Sequence, residues 1–176
     1  MRRVQQATLI FLFIAPLTFA QDSLHTHPMW LNLSLGGSHE VFGFGLSYNK
    51  SLEELSYQIS LNANAEDILS RNDMITTHVA LGFTDKKDWL LTSVYLGPSL
   101  SYGESRNSSE KLVSFWGAGL AFNAQAYFMP LHKLFPGVGL GAEFFYNYNT
   151  MLTESVNYRH LYSFRVGFTL TNLHDQ

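Results

Sequence analysis

The chain predicts an all-β fold, an eight-stranded antiparallel transmembrane β-barrel with periplasmic termini, and three observations predict it. Apolar residues recur with a period of two through eight segments, no charged residue falls on the apolar face of any of them, and an export signal precedes them. That signal is residues 1–20. Arg2 and Arg3 open it, a mostly apolar run follows from Ala7 to Leu17, and Thr18 and Ala20 fill the small-residue positions of a cleavage site before Gln21. The run is shorter than the roughly 20 apolar residues of a membrane-spanning helix, so a cleaved leader is expected rather than an anchor. A short segment, 21–29, then leads into a barrel over 30–170, with a tail at 171–176.

The first strand, Trp30 to Gly36, sets Leu31, Leu33 and Leu35 against Trp30, Asn32 and Ser34. The second, Val41 to Asn49, turns Phe42, Phe44, Leu46 and Tyr48 one way and Gly43, Gly45 and Ser47 the other. In the third, Leu55, Tyr57, Ile59 and Leu61 oppose Ser56, Gln58, Ser60 and Asn62; in the fourth, Ile75, Val79, Leu81 and Phe83 oppose Thr76, His78 and Gly82. The fifth strand places Leu90, Val94, Leu96 and Leu100 against Ser93, Tyr95 and Ser99. The sixth, about Leu112 to Met129, carries Trp116, Leu120, Phe122 and Phe128 on one face and Gly119, Asn123, Gln125 and Tyr127 on the other. The seventh contrasts Val138, Leu140, Phe144 and Tyr148 with Glu143, Phe145 and Asn147, and the last contrasts Tyr162, Phe164, Val166, Phe168 and Leu170 with Ser163, Arg165 and Thr169.

A helix would smear each of these faces around a cylinder of 3.6 residues per turn. A soluble barrel or sandwich also alternates, but its solvent face should be rich in Lys and Glu. Here the polar face is mostly Gly, Ser, Thr, Asn and Gln, as in a tight hydrogen-bonded lumen. Tyr48, Phe83, Trp116, Phe128, Tyr148 and Tyr162 lie on the apolar face towards strand ends, where a lipid-facing barrel carries its aromatic girdles. Trp30 phases with the polar face and joins a girdle only if the chain twists out of register. The joins at Asn49–Glu53, Asp85–Asp88 and Pro130–Pro136 are short or compact. Those at Ala65–Asp73, Tyr102–Lys111 and Thr150–Arg159 are longer and polar, and Gly37–Glu40 departs from that alternation.

Eight strands enclose a lumen just wide enough to be filled by side chains, so no open pore is expected. Glu143 and Arg165 face inward on adjacent strands and predict a pair, because either charge alone would be costly to bury. His78, Gln58, Gln125 and Asn123 complete a predicted polar lumen network. His78 with Ser60, Ser93 and Tyr95 nearby in strand order raises serine hydrolysis, which needs nucleophile, base and orienting acid within hydrogen-bond reach; a hydrogen-bonded lumen histidine is the preferred reading. His25, His27 and His39 fall on the terminus and a loop, where His-x-His alone is a weak metal signal. His132, His160 and His174 sit near strand ends or beyond. No catalytic, cofactor-binding or metal residues are assigned. The loop Gly103 to Lys111, with Glu104, Arg106, Asn107, Glu110 and Lys111, is the candidate surface-recognition element.

Composition narrows the rest. With no Cys, a lipid-anchored lipoprotein, a disulfide framework and a cysteine-ligated metal site are excluded. The net charge is −3, more negative once Arg2 and Arg3 are removed, and no basic cluster tracks a phosphate backbone, so nucleic acid is not an expected partner.

Over all eight strands the chain resembles the small outer-membrane β-barrels of Gram-negative bacteria, of the OmpA transmembrane-domain and OmpX type, most clearly in Phe115–Met129 and Gly137–Asn147. The resemblance implies a monomer among outer-membrane lipids, delivered by the barrel-assembly machinery, with a role in envelope integrity, adhesion or host interaction through an extracellular ligand it does not identify. Such proteins end in an aromatic residue read during assembly; here Phe168 lies in the last strand, but Thr171 to Gln176 follow it. A lipid-modifying enzyme and a soluble lipocalin-like binding barrel are the alternatives. The His, spacer, Ser-Asn signature of the deacylase type is absent, since His78 precedes Val79-Ala80 and His160 precedes Leu161-Tyr162.

Overall fold

The computed structural model describes residues 28–38, 42–52, 55–65, 73–87, 89–106, 112–129, 137–151 and 160–171. They form eight strands: β1 (Met29–Gly37), β2 (Phe42–Leu52), β3 (Leu55–Ala65), β4 (Asp73–Lys87), β5 (Leu90–Arg106), β6 (Leu112–Phe128), β7 (Val138–Met151) and β8 (His160–Thr171). Each pairs antiparallel with the next, and β1 pairs with β8 to close the barrel. The expected export signal at residues 1–20, the histidines His25, His27 and His39, and the tail beyond Thr171 lie outside the described residues.

Register carries the sequence alternation around the wall. Leu33 stands opposite Leu46, Leu46 opposite Leu61, and Leu33 opposite Phe168 on the closing side, so one parity of every strand forms a continuous outer surface. That surface is apolar: Val166 is 70% exposed, Phe83 68% and Leu81 61%. The other parity is buried and largely Asn, Ser, Thr and Gln. The nine residues of β1 span about 30 Å along the strand. At the usual tilt this matches the roughly 25 Å apolar band of an outer-membrane barrel.

Both described chain ends lie at one rim, with the β2–β3, β4–β5 and β6–β7 connections; the other rim carries the remaining four and is called the loop rim below. Two apolar clusters lie among the polar residues of the lumen. Trp30, Ala80, Leu91, Tyr95, Tyr127 and Met129 cluster towards the terminal rim. Met74, Phe115, Ala121, Phe145 and Leu161 cluster in the loop-side half. Trp30 is 2% exposed, so it keeps its inward phase and belongs to the lumen rather than to a girdle.

The strands on one side of the barrel run further than the alternation suggests. β4 continues through the exposed Asp85, Lys86 and Lys87, which pair with Thr92, Leu91 and Leu90, so the expected turn at Asp85–Asp88 shrinks to positions 88–89. β5 continues to Arg106, opposite Leu112, so Tyr102–Arg106, expected in a loop, are strand. At Asp85–Lys87 every side chain is exposed, so alternation ends while the backbone ladder still satisfies its own donors and acceptors; in β5 the inward Ser101 and Gly103 stay buried. At the terminal rim Gly137, with φ of 90°, turns the chain into β7, and its carbonyl accepts from Thr171 N at 2.7 Å. A Cβ there would stand 2.1 Å from the Thr171 carbonyl oxygen.

Candidate functional site

Arg165 on β8 stands directly opposite Glu143 on β7, as the sequence predicts. Its Nη1 donates to Glu143 Oε1 at 3.1 Å, and both side chains are buried. A single ion-pair contact does not satisfy two buried charges, and the surrounding residues supply the rest. Ser34 Oγ donates to the same carboxylate oxygen at 2.7 Å, and Gln125 Nε2 reaches the other at 3.5 Å. Arg165 donates from Nη1 to Asn62 Oδ1 and from Nη2 to Asn64 Oδ1 at 3.0 Å, and its Cζ lies 5.1 Å from the centre of the Phe145 ring.

Two glycines make room for this group. A Cβ on Gly45 would meet Arg165 Nη1 at 2.5 Å and Glu143 Oε1 at 2.8 Å, and one on Gly43 would meet Asn64 Oδ1 at 2.6 Å. The bare backbone of β2 therefore faces the pair, where any side chain would displace it.

From Asn62 the bonds continue around the lumen. Asn62 Nδ2 donates to Ser60 Oγ at 2.9 Å, Ser60 Oγ lies 2.6 Å from His78 Nδ1, and His78 Nε2 lies 2.7 Å from Gln58 Oε1. Gln58 Nε2 donates to Asn49 Oδ1 at 2.7 Å, and Asn49 Nδ2 to Ser47 Oγ at 3.2 Å. Gln125 Nε2 donates to Ser47 Oγ at 3.5 Å and returns the path to Glu143, closing a ring through β2, β3, β4, β6, β7 and β8. Asn32 on β1 joins it by donating to Gln125 Oε1 at 2.9 Å. These partners assign the His78 tautomer: Nε2–H donates to the Gln58 carbonyl oxygen and Nδ1 accepts from the Ser60 hydroxyl.

A second network lies on the β4, β5 and β7 side. Ser99 Oγ donates to Asn147 Oδ1 at 2.7 Å, Ser101 Oγ to Asn149 Oδ1 at 3.1 Å, and Thr76 and Ser101 hydroxyls share a 2.9 Å bond.

Ser60, His78 and Gln58 thus meet the distance requirement of a nucleophile, a base and an orienting group. The chemistry does not follow from the distances. A carboxylate stabilises the imidazolium formed during acyl transfer, whereas the Gln58 amide carries no charge to do so. All three side chains are almost fully buried. The arrangement holds a hydrogen-bonded lumen together. Ser93 and Tyr95 do not join His78. Ser99 is its partner on β5, and the Tyr95 hydroxyl reaches Thr84 Oγ1 at 3.3 Å in the terminal half.

Of the sequence-predicted network, Glu143, Arg165, His78, Gln58 and Gln125 are brought together. Asn123 is buried in the lumen between Tyr95 and Phe145 in the ladder, but its Oδ1 has no hydrogen-bond partner among the described residues. Sequence reasoning left out Ser34, Ser47, Asn49, Asn62 and Asn64. Their inward parity marks them as lumen residues, but Ser34, Ser47, Asn62 and Asn64 make contacts across the lumen to strands that are not their neighbours.

The candidate recognition loop is partly strand. Glu104 lies in β5 opposite Asp73 and Ser114, and Arg106 ends that strand. Asn107, Glu110 and Lys111 lie outside the described residues. On the outer face, His160 sits at the loop-rim end of β8 beside Tyr146 and Tyr148, with Tyr146 Oη 2.8 Å from His160 Nδ1.

No family model matches the chain, and neither does any curated protein. Solved structures do. The N-terminal β-barrel domain of Pseudomonas aeruginosa OprF aligns with a TM-score of 0.61 at 10% identity, covering 82% of this chain and 96% of that one. A major outer-membrane protein of Thermus thermophilus gives 0.58 at 10% identity over 84% and 100%, and Neisserial surface protein A gives 0.57 at 12% over 82% and 94%. At these identities the shared property is the fold, a small eight-stranded barrel of the outer-membrane kind.

Proposed function

We propose that the chain is an integral outer-membrane barrel with a filled lumen and a structural or surface-interaction role. The observation that carries this reading is the inversion of its two faces. Large apolar side chains cover the outside of every strand, and a buried hydrogen-bonded ring occupies the inside. A lipocalin-like carrier needs the reverse arrangement, with an apolar lumen and a solvated wall. In this reading residues 1–20 are a cleaved export signal, the terminal rim faces the periplasm and the loop rim faces outward. The barrel-assembly machinery inserts the chain, which then stands as a monomer among outer-membrane lipids. Glu104 and Arg106, at the loop-rim end of β5, belong to the segment proposed to meet an extracellular ligand.

Envelope fractionation combined with gel migration before and after boiling tests the reading. An outer-membrane protein whose mobility shifts on boiling is expected. Recovery as a soluble periplasmic protein with no shift would overturn it.

A further inference from the structure

The outer surface of β7 and β8 changes character along its length. From the loop rim inward, the directly opposed outward pairs are Tyr148 with His160, then Tyr146 with Tyr162, then Phe144 with Phe164. Phenylalanine and aliphatic residues continue from there to the terminal rim. Polar-tipped rings therefore occupy two successive rows and stop where Phe144 and Phe164 stack at 4.8 Å. On the β1–β2 side of the loop rim, the corresponding outward pair Leu35 and Phe44 is apolar.

The cluster is organised around His160. Tyr146 Oη holds its Nδ1 at 2.8 Å, and the Tyr148 ring lies 5.1 Å from the imidazole. The second ring nitrogen, Nε2, faces no partner among the described residues. Tyr148 and Tyr162 are 43% and 47% exposed, and their hydroxyls carry no hydrogen bond among the described residues. No Asp or Glu shares this outward face of β7 and β8. The cluster thus offers an imidazole N–H and two phenolic O–H donors, set on aromatic rings at the edge of an apolar wall. An acidic oxygen attached to an apolar body fits that arrangement, and at this depth such a group is the head of a membrane lipid.

We infer that Tyr146, Tyr148, His160 and Tyr162 form a site for the phosphate head group of a lipid in the leaflet next to the loop rim. The inference rests on the outer-membrane reading above. The full-length barrel, refolded in neutral detergent and checked for heat-modifiability, is titrated with phosphatidic acid and with diacylglycerol, which has the same acyl chains and no phosphate, and adducts are counted by native mass spectrometry. Preferential retention of phosphatidic acid is expected. The preference should fall about fivefold in His160→Leu, the loss of about 1 kcal/mol for one missing hydrogen bond, and about thirtyfold in the Tyr148→Phe, Tyr162→Phe double variant, which loses two. Equal retention of the two lipids, or an unchanged preference in both variants, overturns the site. Displacement of phosphatidic acid by millimolar inorganic phosphate also overturns it, in favour of a site for free phosphate. In each of those outcomes the boiling shift persists and the barrel reading stands; loss of the shift in the parent protein is what removes both.

Discussion

The inside and the outside of this barrel are built from the same strands, one residue apart, yet they obey different rules. Outward positions need only be apolar: Leu33, Leu46, Leu61 and Val166 meet a surrounding that makes no directional demand. Inward positions are tied to named partners. Arg165 is held by Glu143, Asn62 and Asn64, and Glu143 in turn by Ser34 and Gln125. Degeneracy on one face and pairwise specificity on the other means that equal changes in chemistry have unequal costs.

The largest expected effect comes from breaking the inner face at its charge pair. Arg165→Leu leaves the Glu143 carboxylate buried without its cation and should destabilise the barrel by about 3–5 kcal/mol. Urea unfolding in lipid vesicles, followed by tryptophan fluorescence, measures it. The Arg165→Leu, Glu143→Leu double variant should recover part of the loss, and failure of any recovery would show that the surrounding amides, not the charges, set the cost.

Next in size is the reverse error, a charge placed outside. Val166→Arg puts a cation in the middle of the apolar wall and should cost about 2–4 kcal/mol by the same measurement. No cost would contradict lipid contact at this surface. A smaller loss, about 1–3 kcal/mol, is expected for Gly45→Ala, whose methyl group would displace Arg165 and Glu143. Smallest is Leu96→Ile on the outer face, expected within about 0.5 kcal/mol of the parent. If Gly45→Ala and Leu96→Ile proved equal, the contrast between the faces would fail.

The same contrast explains what could be read from the sequence. The strand count, the inward parity and the Glu143–Arg165 pair were legible because each depends on period two or on neighbouring strands. The ring was not, because Asn62 and Arg165 come from β3 and β8, and their meeting depends on how the closed wall is staggered across the lumen. The ends of β4 and β5 were illegible for a different reason: Asp85–Lys87 stay in the ladder where every side chain is exposed, and Glu104 and Arg106 stay paired although charged residues interrupt the apolar pattern. Trp30 was legible by its parity and remained inside; the temptation to move it outward came from the usual place of tryptophan in such barrels.

The ring also bears on how the chain is made. Its central cation sits in β8, the last strand to leave the ribosome, while its partners Asn62, Asn64 and Glu143 have all been synthesised earlier. Until β8 docks, the Glu143 carboxylate has no counter-ion, and seven strands cannot settle into a finished cylinder. Contacts this distant along the chain form late and together. Arrival of Arg165 is therefore a built-in completion step: a polypeptide cut short before it lacks the cation that Glu143, Asn62 and Asn64 are arranged to hold.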